Sequence, residues 1–202
     1  NGQYEKTLTE ICKNADLPAG TGSRIAEECV KKNYSKIIQV PFGRGRPKYP
    51  ILLPEGYKIL SLREKNYSGR GAGYEHTLYQ HLISKNFQSF KPIIELNRND
   101  KFIDVAIETN ELFVAIEVAM TSVHEKENIE KDFQKSKADF VITSCLNEKV
   151  LREVQGIVFK FSNEIRYKTQ AILISELLKK KPEEFIKILK NKKEYMPCQL
   201  SL

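Results

Sequence analysis

The stretch Phe102-Ile-Asp-Val-Ala-Ile-Glu-Thr-Asn-Glu-Leu-Phe-Val-Ala-Ile-Glu-Val-Ala-Met-Thr-Ser122 decides the fold, because it reads as two strands that each carry one acid among apolar residues. The acids are Asp104 and Glu117. Side chains alternate along a strand, so Phe102, Asp104 and Ala106 share one face, as do Phe113, Ala115, Glu117 and Ala119. With the turn on Thr109-Asn110, Asp104 faces Ala115 and Glu117 is its diagonal neighbour. The two carboxylates then stand on one face with backbones roughly 7–8 Å apart, within reach of one hard cation. The alternative is a pair of acids on a solvated sheet face. Against it stand Phe102, Phe113, Ala115 and Ala119, among which an unpaired carboxylate is costly.

Working outward toward the C-terminus, Val123 to Lys137 reads as a helix with Ile129 and Phe133 apolar, and Ala138 to Cys145 as a buried strand. A short helix over Glu148 to Val154 and a strand over Gly156 to Phe161 follow. Two Lys-dense amphipathic helices are expected over Ala171 to Lys181 and Pro182 to Lys193. Before the hairpin come a helix from Tyr74, with Leu78, Leu82, Ile83 and Phe87 apolar, a strand over Ser89 to Leu96 and a turn over Asn97 to Lys101. Glu75 falls in the first turn of that helix, where the helix dipole also suits an acid. His76 beside it reads as structural.

The front of the chain differs in character. Gln3 to about Asn14 has helical spacing (Leu8, Ile11, Cys12, Ala15), Asp16-Leu-Pro-Ala-Gly20 is a break, and Ser23 is a fair N-cap for a second helix through Lys32. Strand-like runs over Ser35 to Val40 and Lys48 to Leu53 enclose the loop Pro41-Phe-Gly-Arg-Gly-Arg-Pro47. The segment Gly43-Arg-Gly-Arg-Pro-Lys-Tyr-Pro-Ile-Leu-Leu-Pro-Glu-Gly-Tyr-Lys-Ile-Leu60 resembles the wing of winged helix-turn-helix domains, with Pro54 where a Thr is usual. The resemblance implies that the second helix (Ser23, Arg24, Lys31, Lys32) enters the major groove of double-stranded DNA. It also implies that the wing (Arg44, Arg46, Lys48) meets the backbone or the minor groove. Glu27 and Glu28 make that helix a poor base reader, so backbone binding is expected over sequence readout. Winged helices also serve as protein-protein modules.

Charge is distributed to match. Residues 1–70 hold 13 Lys and Arg against 7 Asp and Glu, whereas residues 71–202 hold 20 against 19, so nearly all of the net +7 lies in the first third. A basic third points to a polyanion. Cys12, Cys29, Cys145 and Cys198 have no paired spacing, which argues against a zinc ribbon or a disulfide framework. No apolar run is long enough to span a bilayer and the start has no secretory pattern, so a cytoplasmic protein without a membrane partner is expected. The missing initiator Met suggests a fragment. The polar, Gly-rich run Arg63 to Gly73 reads as a linker between a domain over residues 1–65 and another over 66–202.

From Gly73 the expected order is helix, three strands, helix, strand. That order, with acids at Glu75, Asp104 and Glu117, resembles the PD-(D/E)XK nuclease superfamily over roughly residues 73–145. The implied fold class is α/β: an N-terminal winged helix plus a C-terminal restriction-endonuclease-like core, a mixed sheet flanked by helices. The resemblance implies that Asp104, Glu117 and the Val118 carbonyl hold Mg²⁺ or Mn²⁺, with Glu75 assisting, in a DNA endonuclease. The family's Lys falls on Ala119, a departure. Glu125-Lys-Glu-Asn-Ile-Glu-Lys-Asp132 resembles a subgroup whose Lys lies in the following helix, which assigns the role to Lys131, beside Asn128, with Gln134 or Lys135 as substitutes. The same departure suits a nuclease fold retained for DNA binding alone, as part of a larger DNA-translocating ATPase. Nucleases of this type often act as homodimers.

Overall fold

The computed structural model describes residues 6–42, 45–63 and 73–195. Arg44, and with it most of the linker expected over residues 63–73, lies outside the described residues. The chain divides into two compact units, Asn1–Leu78 and Tyr79–Leu202.

In the first unit, α1 (Leu8–Asn14) is capped by Thr7, whose hydroxyl accepts from the Glu10 amide while Glu10 reaches back to the Thr7 backbone. Helix α2 (Ala19–Lys31) starts directly after Pro18, so Ser23 is an exposed residue inside the helix and not its cap. Proline presets the entry dihedral and needs no amide partner there, which moves the start five residues upstream of the expected one. A Cβ on Gly22 would collide with the Cys12 sulfur, so glycine lets α1 and α2 approach closely. Strands β1 (Ser35–Gln39) and β2 (Lys48–Leu52) form an antiparallel hairpin with Ser35 opposite Leu52 and Gln39 opposite Lys48. Pro54 opens α3 (Pro54–Ile59), and Gly56 is required because any Cβ would strike the Tyr34 carbonyl.

The second unit is built on a five-stranded mixed sheet with strands in the order β3 (Ile93–Arg98), β4 (Lys101–Glu108), β5 (Phe113–Ala119), β6 (Phe140–Cys145), β7 (Thr169–Leu173). The first three form an antiparallel meander, while β5, β6 and β7 run parallel. Parallel neighbours need crossover helices. These are α5 (Glu125–Gln134) between β5 and β6, and α6 (Glu148–Phe159) with the short α7 (Asn163–Lys168) between β6 and β7. The unit is completed by α4 (Tyr74–Asn86), into which the unit boundary falls, α8 (Ile174–Leu177) and α9 (Pro182–Tyr195). The helix-strand-strand-strand-helix-strand order expected from residue 73 is present. No helix among the described residues is long and apolar enough to cross a membrane.

Ile103, Ala115, Ala119, Val141 and Cys145 of the sheet pack with Ile129 of α5 and with Val150, Val154 and Val158 of α6. That last trio, spaced by four, explains why residues 156–159 continue a helix and do not form the expected strand over Gly156 to Phe161. Gly156 meets nothing within 4 Å and is tolerated there. The helix expected from Ala171 is likewise corrected: Thr169–Leu173 is the edge strand β7, and only one turn of helix, α8, follows it. A short apolar run is ambiguous alone; the open edge of β6, with Val141 opposite Thr169 and Cys145 opposite Leu173, selects the strand. In α4 the buried seam includes Tyr79 and Ile83, and just past its end the Phe87 ring stands edge-on to Phe185 of α9 at 5.8 Å.

The central hairpin turns over residues 109–112, where the Thr109 amide donates to the Leu112 carbonyl. Its register therefore pairs Ala106 with Ala115 and Val105 with Ile116, two residues from the expected alignment. The even shift leaves each side chain on its own face. The paired register ends at Val105 and Ile116, so Asp104 lies past the last pair.

Candidate active site

The β4–β5 ladder stops at Val105 and Ile116, and Asp104 lies just beyond it. On its other flank the β3–β4 pairing skips Glu95, which has a left-handed φ of 53° between the pairs Ile94–Val105 and Leu96–Ile103. Asp104 thus occupies a break in the sheet. Its Oδ2 accepts from the Val118 amide at 2.7 Å and its Oδ1 from Gln80 Nε2 at 2.9 Å. The side chain takes the place of a missing ladder partner, and a carboxylate accepting from N–H groups is firmly oriented. Because amide and carbonyl of one strand residue leave the backbone on the same side, the Val118 carbonyl also faces this break.

Glu117 is 4 % exposed, in the middle of β5. Its Oε1 accepts from Lys101 Nζ at 3.0 Å, and the same ammonium stands 3.5 Å from Oδ1 of Asp132, which is fully buried on α5. Thr143 lies beside Glu117 across the parallel β5–β6 pairing, its buried hydroxyl without a hydrogen-bond partner. Glu125, at the first position of α5, is also buried; its Oε1 accepts from Asn128 Nδ2 at 3.4 Å, while its Oε2 has no hydrogen-bond partner.

Electrostatics bind these groups into one cluster. Burial, then repulsion from Asp104 and Asp132, pushes Glu117 well above the usual carboxylate range despite the Lys101 ammonium. Asp132 is raised to about 6 by burial, against the pull of the Lys101 ammonium. Glu125 is raised to about 7 by burial and by the Asp104 charge. For Lys101, burial disfavours the ammonium, but Glu117, Asp132 and Asp104 more than offset it, so its pKa rises and the side chain stays charged. Several acids around one buried cation leave the pocket short of positive charge. The donor set fits a hard divalent cation: two acids of adjacent strands and a carbonyl at the break, all oxygen. Among the described residues no group of three His, Cys, Asp or Glu side chains is arranged to hold an ion.

Of the residues singled out in the sequence, Asp104 reaches the Val118 amide, and the charge of Asp104 acts on the buried Glu117. Lys131 does not join them: its side chain is about half exposed and its ammonium pairs with Glu127 at 3.4 Å. Gln134 and Lys135 are exposed. Ala119 is buried in the core. Glu75 is half-buried in the first turn of α4, within the first unit. Also in that unit, Ser23, Arg24, Lys31, Lys32, Arg46 and Lys48 are all exposed. A groove of about 540 Å³ between α1, the start of α2 and the hairpin is lined in part by Lys13, Asp16, Ser23, Arg46 and Lys48.

Lys101, Asp132, Glu125 and Gln80 were not legible as site residues. One signal was available: Ile129, Asp132 and Ser136 share a helical face, so an acid lies on the apolar stripe of α5. Lys101 sits at the end of a turn-like run and carries no comparable mark. No family model, curated protein or solved structure matches the chain.

Proposed function

We propose that the protein is a metal-dependent DNA nuclease whose second unit hydrolyses phosphodiesters and whose basic first unit, a winged helix, binds the duplex. The observation that supports this reading is Asp104 at a break in the sheet, bonded to the Val118 amide and acting electrostatically on the buried Glu117 of the adjacent strand. Asp104, Glu117 and the Val118 carbonyl would hold Mg²⁺ or Mn²⁺. When bound, such a cation supplies positive charge against the phosphate oxygens and eases proton loss from water. In the hydrolysis, the water oxygen forms a bond to phosphorus as one ester P–O bond breaks, and the proton the water loses is balanced by one taken up by the leaving oxygen. Arg24, Lys31, Lys32, Arg46 and Lys48 supply the exposed cations for phosphate contact. Cutting both strands would call for two sites, hence a homodimer.

Incubation of supercoiled plasmid with the protein and Mg²⁺ or Mn²⁺ tests this. Nicked or linear product is expected, lost with EDTA and in Asp104→Asn and Glu117→Gln variants; cleavage that survives both substitutions sinks the assignment.

A specific observation favours a second reading. Lys101, Glu117 and Asp132 are 7 % exposed or less, as in an ion cluster that only holds elements together. A binding module that has lost cleavage would bind duplex in a salt-sensitive manner with or without metal.

A further inference from the structure

Position 119 carries no amine, and Lys131 on α5 points to Glu127, away from the acids. One ammonium does stand among them. Lys101 Nζ lies 3.0 Å from Glu117 Oε1 and 3.5 Å from Asp132 Oδ1, and Asp104 is close enough to add to the field that keeps it charged. An ammonium has three N–H donors, and among the described residues these two acids are the only ones that Lys101 reaches. A third donor is left for the contents of the site.

We propose that Lys101, from strand β4, is the amine of this site, donating its remaining N–H to the attacking water, and that the buried Asp132 of α5 is a positioning residue that holds the ammonium against Glu117. This rests on the nuclease reading above. Three features of the geometry converge on it. Lys101 enters from the strand that carries Asp104, so the acid and the amine share one rigid element. Asp132 is wholly buried, and an uncompensated carboxylate there would be costly, so the contact to Lys101 stabilises the position of both groups. Thr143, with its unpartnered buried hydroxyl, gives the face beside Glu117 a second polar group suited to hold water.

The test compares the full chain with Lys101→Ala, Lys101→Arg, Lys131→Ala and Asp132→Asn variants in Mn²⁺-dependent plasmid cleavage, Mn²⁺ binding by electron paramagnetic resonance and thermal unfolding. Lys101→Ala is expected to lose on the order of 100-fold in cleavage rate. It should bind Mn²⁺ as tightly as the parent or more so, because a competing cation next to Glu117 is gone. Added ethylamine should restore part of its activity and ethanol should not. Lys131→Ala should cleave within about 3-fold of the parent, and Asp132→Asn should lower kcat with KM unchanged. Lys101→Arg keeps the ion pairs and so guards against a folding failure; a positioned amine predicts at least a roughly 10-fold loss there, since the planar fork cannot reproduce the ammonium geometry. Full activity in Lys101→Arg, or loss of activity in Lys131→Ala with Lys101→Ala unaffected, overturns the assignment and leaves the nuclease reading standing. A parent protein inert with both metals overturns both.

Discussion

Glu125 stands at the first position of α5, where the helix dipole favours a charged carboxylate, yet its pKa rises from 4.5 to about 7. Burial wins because the side chain has exchanged water for a protein surround that also contains the Asp104 charge. The consequence for stability has a definite sign. Below pH 4.5 both folded and unfolded states hold the proton; between 4.5 and about 7 the unfolded chain releases it first, so stability falls as pH rises, and above about 7 the penalty is constant. Glu125→Gln in EDTA is therefore expected to reduce the drop in unfolding free energy between pH 5 and pH 8 by about 3 kcal/mol, measured by urea denaturation. An unchanged drop would show that the carboxyl is solvated. Asp132, raised to about 6, adds to the fall in the same direction and keeps some of it in the variant.

Helix α6 shows what decides an element. Asn147 caps it, its Oδ1 accepting from the Lys149 and Val150 amides at 3.0 and 3.1 Å, and the seam Val150, Val154, Val158 then carries it onto the sheet. Asn147→Ala is expected to cost about 1 kcal/mol in chemical denaturation, with the fold retained; no change would mean that the seam alone sets the start. A short helix from Glu148 was expected. Its length was not, because Gly156-Ile-Val-Phe suits a strand as well as a helix until a neighbour is known. The hairpin taught the converse. Its alternation led to the expectation that Asp104 and Glu117 share a face, but the turn over residues 109–112, and with it the pairing of Ala106 with Ala115, depends on a backbone hydrogen bond between Thr109 and Leu112.

Across the whole molecule the net +7 is carried almost entirely by the first third, and its cations among the described residues are on the surface. If they meet phosphates, the logarithm of duplex affinity will fall linearly with the logarithm of salt concentration, and Arg46→Ala with Lys48→Ala will reduce that slope by about 2. A slope unaltered by the double substitution, in filter binding or fluorescence anisotropy, would remove the hairpin from the interface. Much of this architecture was legible from the chain alone: the basic front, the paired strands at 35–39 and 48–52, the element order from residue 73, and the two strand acids. Those features are local, since periodicity, turn residues and charge each involve neighbours in sequence. Tertiary structure decided which amine joins the acids. Lys131 was the lysine the sequence singled out and Lys101 carried no mark, and only the packing of α5 against β4 and β5 brings Asp132 and Glu117 around Lys101 while leaving Lys131 in water. Burial is set by elements far apart along the chain, and burial is what turns these carboxyls and one ammonium into a single charged cluster.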